Sequence, residues 1–374
     1  MIDTNTPETE NPTPTTSLQE TVPEQAEEEK VVYSVSPDLL GFLAKSDISI
    51  CMSSYQSGRF YLVGRNPKGG IMINEQAFQK AMGISIGGAR LTLATLFQIH
   101  CFKNALKPEE RVEEVFDACF VPRTSYTTGI LDAHDVSVTG EGQIVFVNTR
   151  FNCLATVSDK HSFKTVWKPP FISKIVDEDR CHLNGLAMDK GKPAYVTAVS
   201  KSDTIDGWRD RRQDGGVVID VQADKIICEG LSMPHSPRVH QGKLYVLDSG
   251  SGRLGTIEID PKTGKGSFEE IMFCPGFVRG LAFHKGFAIV GLSKPRYQRF
   301  EGLPLDKKLQ ETDSEAWCGF QVIDLKKKKV AAWFRVDGAV QEMFDVGVIP
   351  KVICGMSIGF ATDHTKTLIT HGED

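Results

Sequence analysis

The chain has 374 residues, 40% of them hydrophobic, with 34 glycines and 18 prolines, which is enough for a sizeable core and many turns. Its formal charge is −5, but residues 1–30 hold eight acidic residues and one lysine, a balance of −7, so the rest stands at −5 + 7 = +2. A body this close to neutral excludes the strongly one-signed surface of a nucleic-acid or membrane-surface binder.

The first segment, "MIDTNTPETENPTPTTSLQETVPEQAEEEK", is rich in Thr, Pro and Glu and has almost no apolar residue. It cannot bury enough surface to offset the entropy of ordering, so residues 1–32 are expected to form a disordered acidic tail. It lacks the basic and apolar regions of a secretory signal. No apolar run in the chain approaches the roughly 20 residues of a membrane span. The nine cysteines are scattered singly, without a C-x-x-C pair. Their odd number favours a reducing compartment, and most (Cys51, Cys153, Cys228, Cys274, Cys318, Cys354) recur in strand-like segments as core residues. These features together imply a cytoplasmic protein.

After the tail, "DISICMSSYQSGRFYLVGRNPKGGIMIN" from Asp47 reads as successive strands, and "ARLTLATLFQIHCF" from Ala89 as another unit. Four later segments align without gaps: "DVSVTGEGQIVFV" from Asp135, "NGLAMDKGKPAYV" from Asn184, "HSPRVHQGKLYVL" from His235 and "RGLAFHKGFAIVG" from Arg279. Each is a short strand, a polar turn ending in Gly142, Gly191, Gly242 or Gly286, and a second strand rich in β-branched and aromatic residues. A fifth, "DVGVIPKV" from Asp345, has only the first strand.

The starts lie 49, 51, 44 and 66 residues apart, and Ala89 precedes Asp135 by 46. That spacing, with about four strands per unit, is that of propeller blades. The strand at Asp345 lacks partners, and the N-terminal strands supply them. The expected fold is an all-β six-bladed propeller over residues 33–374, closed by strand exchange between the chain ends; five or seven blades also fit the spacing.

In a propeller the first residue of each repeat lies at the channel mouth. The expected ring is Asp135, Asn184, His235, Arg279 and Asp345, with His134 and His182 just upstream. His134, His182 and His235 together suit Zn²⁺ or Fe²⁺, with Asp135 as a further ligand or an orienting group. Asp135, Asn184 and Asp345 alone would suit Ca²⁺ or Mg²⁺. Arg279 and Arg238 are natural anchors for a carboxylate, with Asn184 and Asp345 as further substrate contacts. His240 and His284 belong to the turns of the opposite face. Two long insertions, "KSDTIDGWRDRRQDGG" from Lys201 and "KPRYQRFEGLPLDKKLQETDSEAWCG" from Lys294, return to the mouth as candidate lids. "SIGGAR" at Ser85 lacks the G-x-G-x-x-G spacing, and the chain has no G-x-S-x-G, P-loop or H-E-x-x-H.

The segments "HLNGLAMDKGKPAYVT" and "AHDVSVTGEGQIVFVN" resemble blade openings of gluconolactonase and senescence-marker type propellers. That resemblance implies metal and substrate contacts at Asn184 and Asp135; the family's early Glu ligand has no counterpart here. The three histidines are similar in arrangement to the zinc site of peptidylglycine amidating lyase. "HLNGLAMD", "PHSPR", "LDSGSG" and "FVRGLAF" resemble a bacterial conserved-hypothetical family over most of the chain beyond residue 35. The expected function is that of a metal-dependent hydrolase or lyase acting on a small or peptide-like anion. The alternative is a non-catalytic binding module for a peptide or protein partner. Neither nucleic acid nor membrane is an expected partner.

Overall fold

The computed structural model describes residues 30–87, 90–295 and 302–372; the acidic segment expected to be disordered lies outside them up to residue 29. The described strands form six sheets, antiparallel except for one added outer strand. Their first strands touch one another in cyclic order, which makes the assembly a six-bladed propeller. From the channel outward, blade 1 is Asp345–Pro350, Ile48–Ser54, Arg59–Arg65 and Ile71–Ala77. Blade 2 is Ile84–Gly87, Arg90–Ala94, Gln98–Asn104 and Ala118–Thr127, with Gly355–Ser357 added in parallel outside. Blade 3 is Ala133–Val138, Ile144–Asn148, Cys153–Thr156 and Lys164–Trp167. Blade 4 is Leu183–Asp189, Lys192–Ala198, Gly216–Asp220 and Lys225–Leu231. Blade 5 is Pro234–His240, Lys243–Asp248, Arg253–Ile259 and Gly266–Phe273. Blade 6 is Phe277–His284, Phe287–Ser293, Cys318–Asp324 and Lys329–Asp337, flanked outside by Val32–Val35.

The closure is the expected strand exchange: Ile50 lies opposite Val348 and Cys51 opposite Gly347. The opening of blade 2 differs from expectation. Its channel strand is Ile84–Gly87, and the segment from Ala89 supplies the second and third strands. The described residues of "SIGGAR" pair in that first hairpin, with Gly87 opposite Arg90, while residues 88–89 lie outside the described residues.

Local chemistry explains the hairpins. Lys190–Gly191 and Gln241–Gly242 both have positive φ at each residue, the type I′ geometry that suits two-residue turns. Each blade is covered on both faces by its neighbours, so inner strands such as Ile48–Ser54 are buried along their whole length. Ile50, Met52 and Val63 of blade 1 pack with Phe320 and Phe334 of blade 6. All nine cysteines are buried and unpaired, as core residues.

Around the channel the blades are coupled by side chain to backbone bonds. Asp345 of blade 1 accepts from the Ile84 amide of blade 2, Asp135 of blade 3 from Leu186 of blade 4, and Ser236 Oγ of blade 5 from Gly280 of blade 6. The remaining interfaces use close backbone approach at glycine. A Cβ on Gly83 would stand 2.8 Å from Asp135 Cα, one on Gly280 2.7 Å from Asp345 Cα, and one on Gly185 3.0 Å from the Ser236 nitrogen. Polar residue and glycine thus alternate around the ring.

Candidate functional site: the channel mouth

The channel itself is plugged. Arg238 donates from Nη1 to Asp135 Oδ2 at 2.7 Å and to the Leu186 carbonyl at 3.0 Å, and from Nε to the Leu281 carbonyl at 3.2 Å. Asp345 lies 3.7 Å from Nη2. Arg238, Asp135 and Asp345, expected to hold substrate or metal, are instead committed to one another and to neighbouring blades. Burial, reinforced by the Asp135 charge and opposed by Arg238, pushes the Asp345 carboxyl up to about 7.

Above the plug the ring differs by one residue from the gap-free alignment. The first hairpin of blade 3 closes with Val138 opposite Ile144, whereas that of blade 4 closes with Asp189 opposite Lys192. The longer turn shifts the register of blade 3. Ala133 lies opposite Asn148 as Pro234 lies opposite Asp248, so His134, not Asp135, matches His235. The mouth ring is therefore His134, Asn184, His235 and Arg279.

His134 and His235 are held by equivalent partners. His134 Nδ1 lies 2.9 Å from the Asp132 carbonyl and 2.7 Å from Thr149 Oγ1, whose hydroxyl donates to the Leu183 carbonyl at 2.6 Å. His235 Nδ1 lies 2.7 Å from the Met233 carbonyl and 3.0 Å from Ser249 Oγ. A carbonyl only accepts, so each Nδ1 carries the proton and each Nε2 presents a lone pair. Thr197 donates to Asn184 Oδ1 at 2.7 Å, which turns the amide nitrogen toward His235 Nε2 at 3.4 Å. Arg279 Nη2 lies 3.1 Å from the same Nε2.

His182 is held differently. Its backbone has φ of +52°, and its Nδ1 lies 2.7 Å from Asp179 Oδ2, while Asp179 Oδ1 accepts from its backbone amide at 3.0 Å. Its ring stacks on Trp208 with centroids 4.2 Å apart and meets His134 edge-on at 4.9 Å. Arg279 lies over Phe344 at 4.4 Å and near Phe277 at 5.8 Å, and His134 packs on Phe344 at 5.3 Å.

Burial, then the neighbouring His182 and Arg279, holds His134 well below the usual imidazole range. His235 is held down likewise, by burial and then by Arg279. Burial draws Arg279 down to about 10, with Glu342 and Asp345 opposing, so it remains positive at neutral pH. Among the described residues, Nε2 of His134 and of His182 has no hydrogen-bond partner, the only hydrogen bond of Arg279 is to His235, and its buried Nε has none.

The mouth thus brings together His134, His182, His235, Asn184 and Arg279, while Asp135, Asp345 and Arg238 form the plug below. A divalent ion does not fit the three imidazoles as arranged, because guanidinium and amide donors occupy the lone pair of His235. Among the described residues no group of three or more His, Cys, Asp or Glu is disposed to hold a metal ion. Sequence reasoning missed Asp179, Thr149, Ser249, Trp208 and Phe344. The hydroxyl residue that ends "VNT" and "LDS", immediately after the second strand in each blade, was the available signal for Thr149 and Ser249.

The first insertion does reach the mouth, through Trp208. Arg180 ties it down, bonding Glu178 at 2.7 Å and Asp203 at 2.7 Å. Gln213 donates to the Gly302 carbonyl at 2.8 Å, which joins the two insertions; residues 296–301 of the second lie outside the described residues. His240 lies on the opposite face, half-buried and stacked on Phe283 at 4.3 Å. The run at Asp324 is a turn, with Asp324 paired to Lys329.

No curated protein matches the chain. Among solved structures, a nidogen/laminin complex covers 81% of this chain and 99% of its own, at 9% identity and a TM-score of 0.47. A protein of unknown function from Bacteroides caccae covers 81% and 98%, at 9% identity and 0.47. Virginiamycin B lyase from Staphylococcus aureus covers 82% and 99%, at 11% identity and 0.38. Residues 37–358, and with them every blade of the ring, match the family described as Domain of unknown function (DUF4915), and the chain belongs to that family.

Proposed function

We propose that the mouth binds a small organic anion and carries out proton-transfer chemistry on it, of the hydrolase or lyase kind. Arg279 holds the negative group, and His182, oriented by Asp179, accepts the proton. One observation carries this reading: among the described residues, a positive guanidinium with an unpartnered buried Nε stands beside two imidazoles whose Nε2 atoms have no hydrogen-bond partner. A guanidinium matches a carboxylate in shape and charge. An Asp–His hydrogen bond fixes the tautomer that presents a basic Nε2. A guanidinium and a divalent cation cannot share the His235 lone pair, so this reading assigns the polarising charge to Arg279. Phe344, Phe277 and Trp208 supply apolar walls for the carbon body of the ligand.

The test is binding of a panel of small carboxylates, benzoate and phenylacetate among them, followed by Trp208 fluorescence. Arg279→Met should weaken binding by about 1.5–3 kcal/mol, the usual loss of a charge-assisted pair, which is roughly 10- to 150-fold. Equal affinity in the two proteins would sink the anchor. For the chemistry, bound phenylacetate incubated in D₂O should exchange hydrogen on its α-carbon, and Asp179→Asn and His182→Gln should lose that exchange. Binding without exchange would leave a non-catalytic binding module as the better account.

A further inference from the structure

We infer that the ligand held by Arg279 also carries a hydrogen-bond donor, a hydroxyl or an amine, so that its class is a hydroxy or amino acid rather than a plain carboxylate. This rests on the reading of Arg279 as an anion anchor and specifies the other half of the same mouth.

The argument is one of donor and acceptor balance. Arg279 offers only donors, so an oxyanion suits it and a second donor does not. His134 and His182 offer the opposite. Each has its Nδ1 proton engaged by an acceptor, the Asp132 carbonyl for His134 and the Asp179 carboxylate for His182. Thr149 cannot reverse this at His134, because its hydroxyl hydrogen is already given to the Leu183 carbonyl. Two Nε2 lone pairs therefore belong to rings only 4.9 Å apart, and neither has a partner among the described residues.

A third imidazole shows what such a lone pair takes when a partner is present. His235 holds its Nδ1 proton in the same way, and its Nε2 accepts from Arg279 and from Asn184. At His134 and His182 no such donor is present among the described residues, and a ligand can supply it. A plain carboxylate that spanned the mouth would set oxygen lone pairs against nitrogen lone pairs. A hydroxyl or amine on the carbon body would satisfy one imidazole while its carboxylate remained on Arg279. Phe344 packs against both Arg279 and His134, so its ring forms a shared apolar floor between anion and donor.

The experiment uses matched pairs that differ by a single hydroxyl: mandelate with phenylacetate, and 3-phenyllactate with 3-phenylpropionate. Affinities are measured by calorimetry on the full chain. The hydroxy acid of at least one pair should bind about tenfold more tightly, the scale of one hydrogen bond made to an otherwise unsatisfied group. His134→Phe and His182→Phe should shrink that difference. Should either variant fail to fold, ¹⁵N spectra of the unaltered protein give the same reading: the Nε2 resonance of one or both open imidazoles should move with the hydroxy acid and not with its partner. Equal binding within both pairs, or unmoved Nε2 resonances, would overturn the donor requirement alone. If no acid of either pair bound, or if Arg279→Met bound both pairs as well as the unaltered protein, the anchor itself would fall with it.

Discussion

Arg238 reaches from blade 5 across the channel to Asp135 of blade 3, with Nη1 2.7 Å from Oδ2. The two residues belong to blades that are not neighbours, and Asp345 of blade 1 lies 3.7 Å from the same guanidinium. One side chain thus joins three alternate blades on the propeller axis. Arg279, 41 positions later by residue number, takes no part in this junction and meets His235 at the mouth, 3.1 Å from its Nε2.

The two arginines should therefore differ in what they stabilise. Arg238→Met leaves two buried carboxylates without their counter-charge and should cost about 3–5 kcal/mol, the range for breaking a buried pair. Arg279→Met removes no direct ion pair and should change stability by less than about 1 kcal/mol. Urea unfolding of both variants decides this, and equal losses would contradict the division of roles.

Asp345 makes stability depend on pH. Its folded value, about 7, stands above its ordinary value of 3.8, chiefly through burial. A raised carboxyl favours the folded state when protonated, so its contribution is full below about pH 4 and is lost as pH rises toward 7. Asp345→Asn keeps an oxygen for the Ile84 amide and abolishes the titration. Relative to the unaltered protein, the melting temperature of the variant should move upward between pH 4.5 and pH 8. A constant gap across that range would refute the shift.

His134 and His235 should remain neutral Nδ1–H tautomers at pH 5.5, visible in ¹⁵N shifts of the imidazole nitrogens. Both are depressed, by burial first. The sign is opposite to that of Asp345: the unfolded chain takes up protons below about pH 6.5 that the folded state refuses, so these groups cost stability as pH falls. Protonated signals from both rings at pH 5.5 would show that the mouth is wetter than its hydrogen bonds imply.

Removing residues 345–374 should abolish cooperative unfolding. The truncation deletes the channel strand of blade 1 and the outer strand Gly355–Ser357 of blade 2, and it uncovers Ile50 and Met52. A truncated chain with an unchanged thermal transition would mean that blade 1 closes without its C-terminal strand.

The repeating hairpins and the closure at Asp345 were legible in the sequence because they rest on local rules. A two-residue turn needs positive φ, Gly191 and Gly242 supply it, and a lone strand must find partners to bury its apolar residues. Blade 2 was misread because its channel strand, Ile84–Gly87, has only four residues and too little pattern to stand out. The ring position of His134 was missed by one residue because the longer turn of blade 3 shifts register without changing the look of either strand. Which arginine plugs the channel and which lines the mouth is not a property of either segment. It depends on Asp135, 103 positions from Arg238, being brought across the axis, and on Phe344 and His235 being set around Arg279. Turn chemistry and strand pattern act between neighbours in the chain, whereas charge pairing and the direction of an imidazole lone pair are decided between blades, where only the closed ring sets the distances.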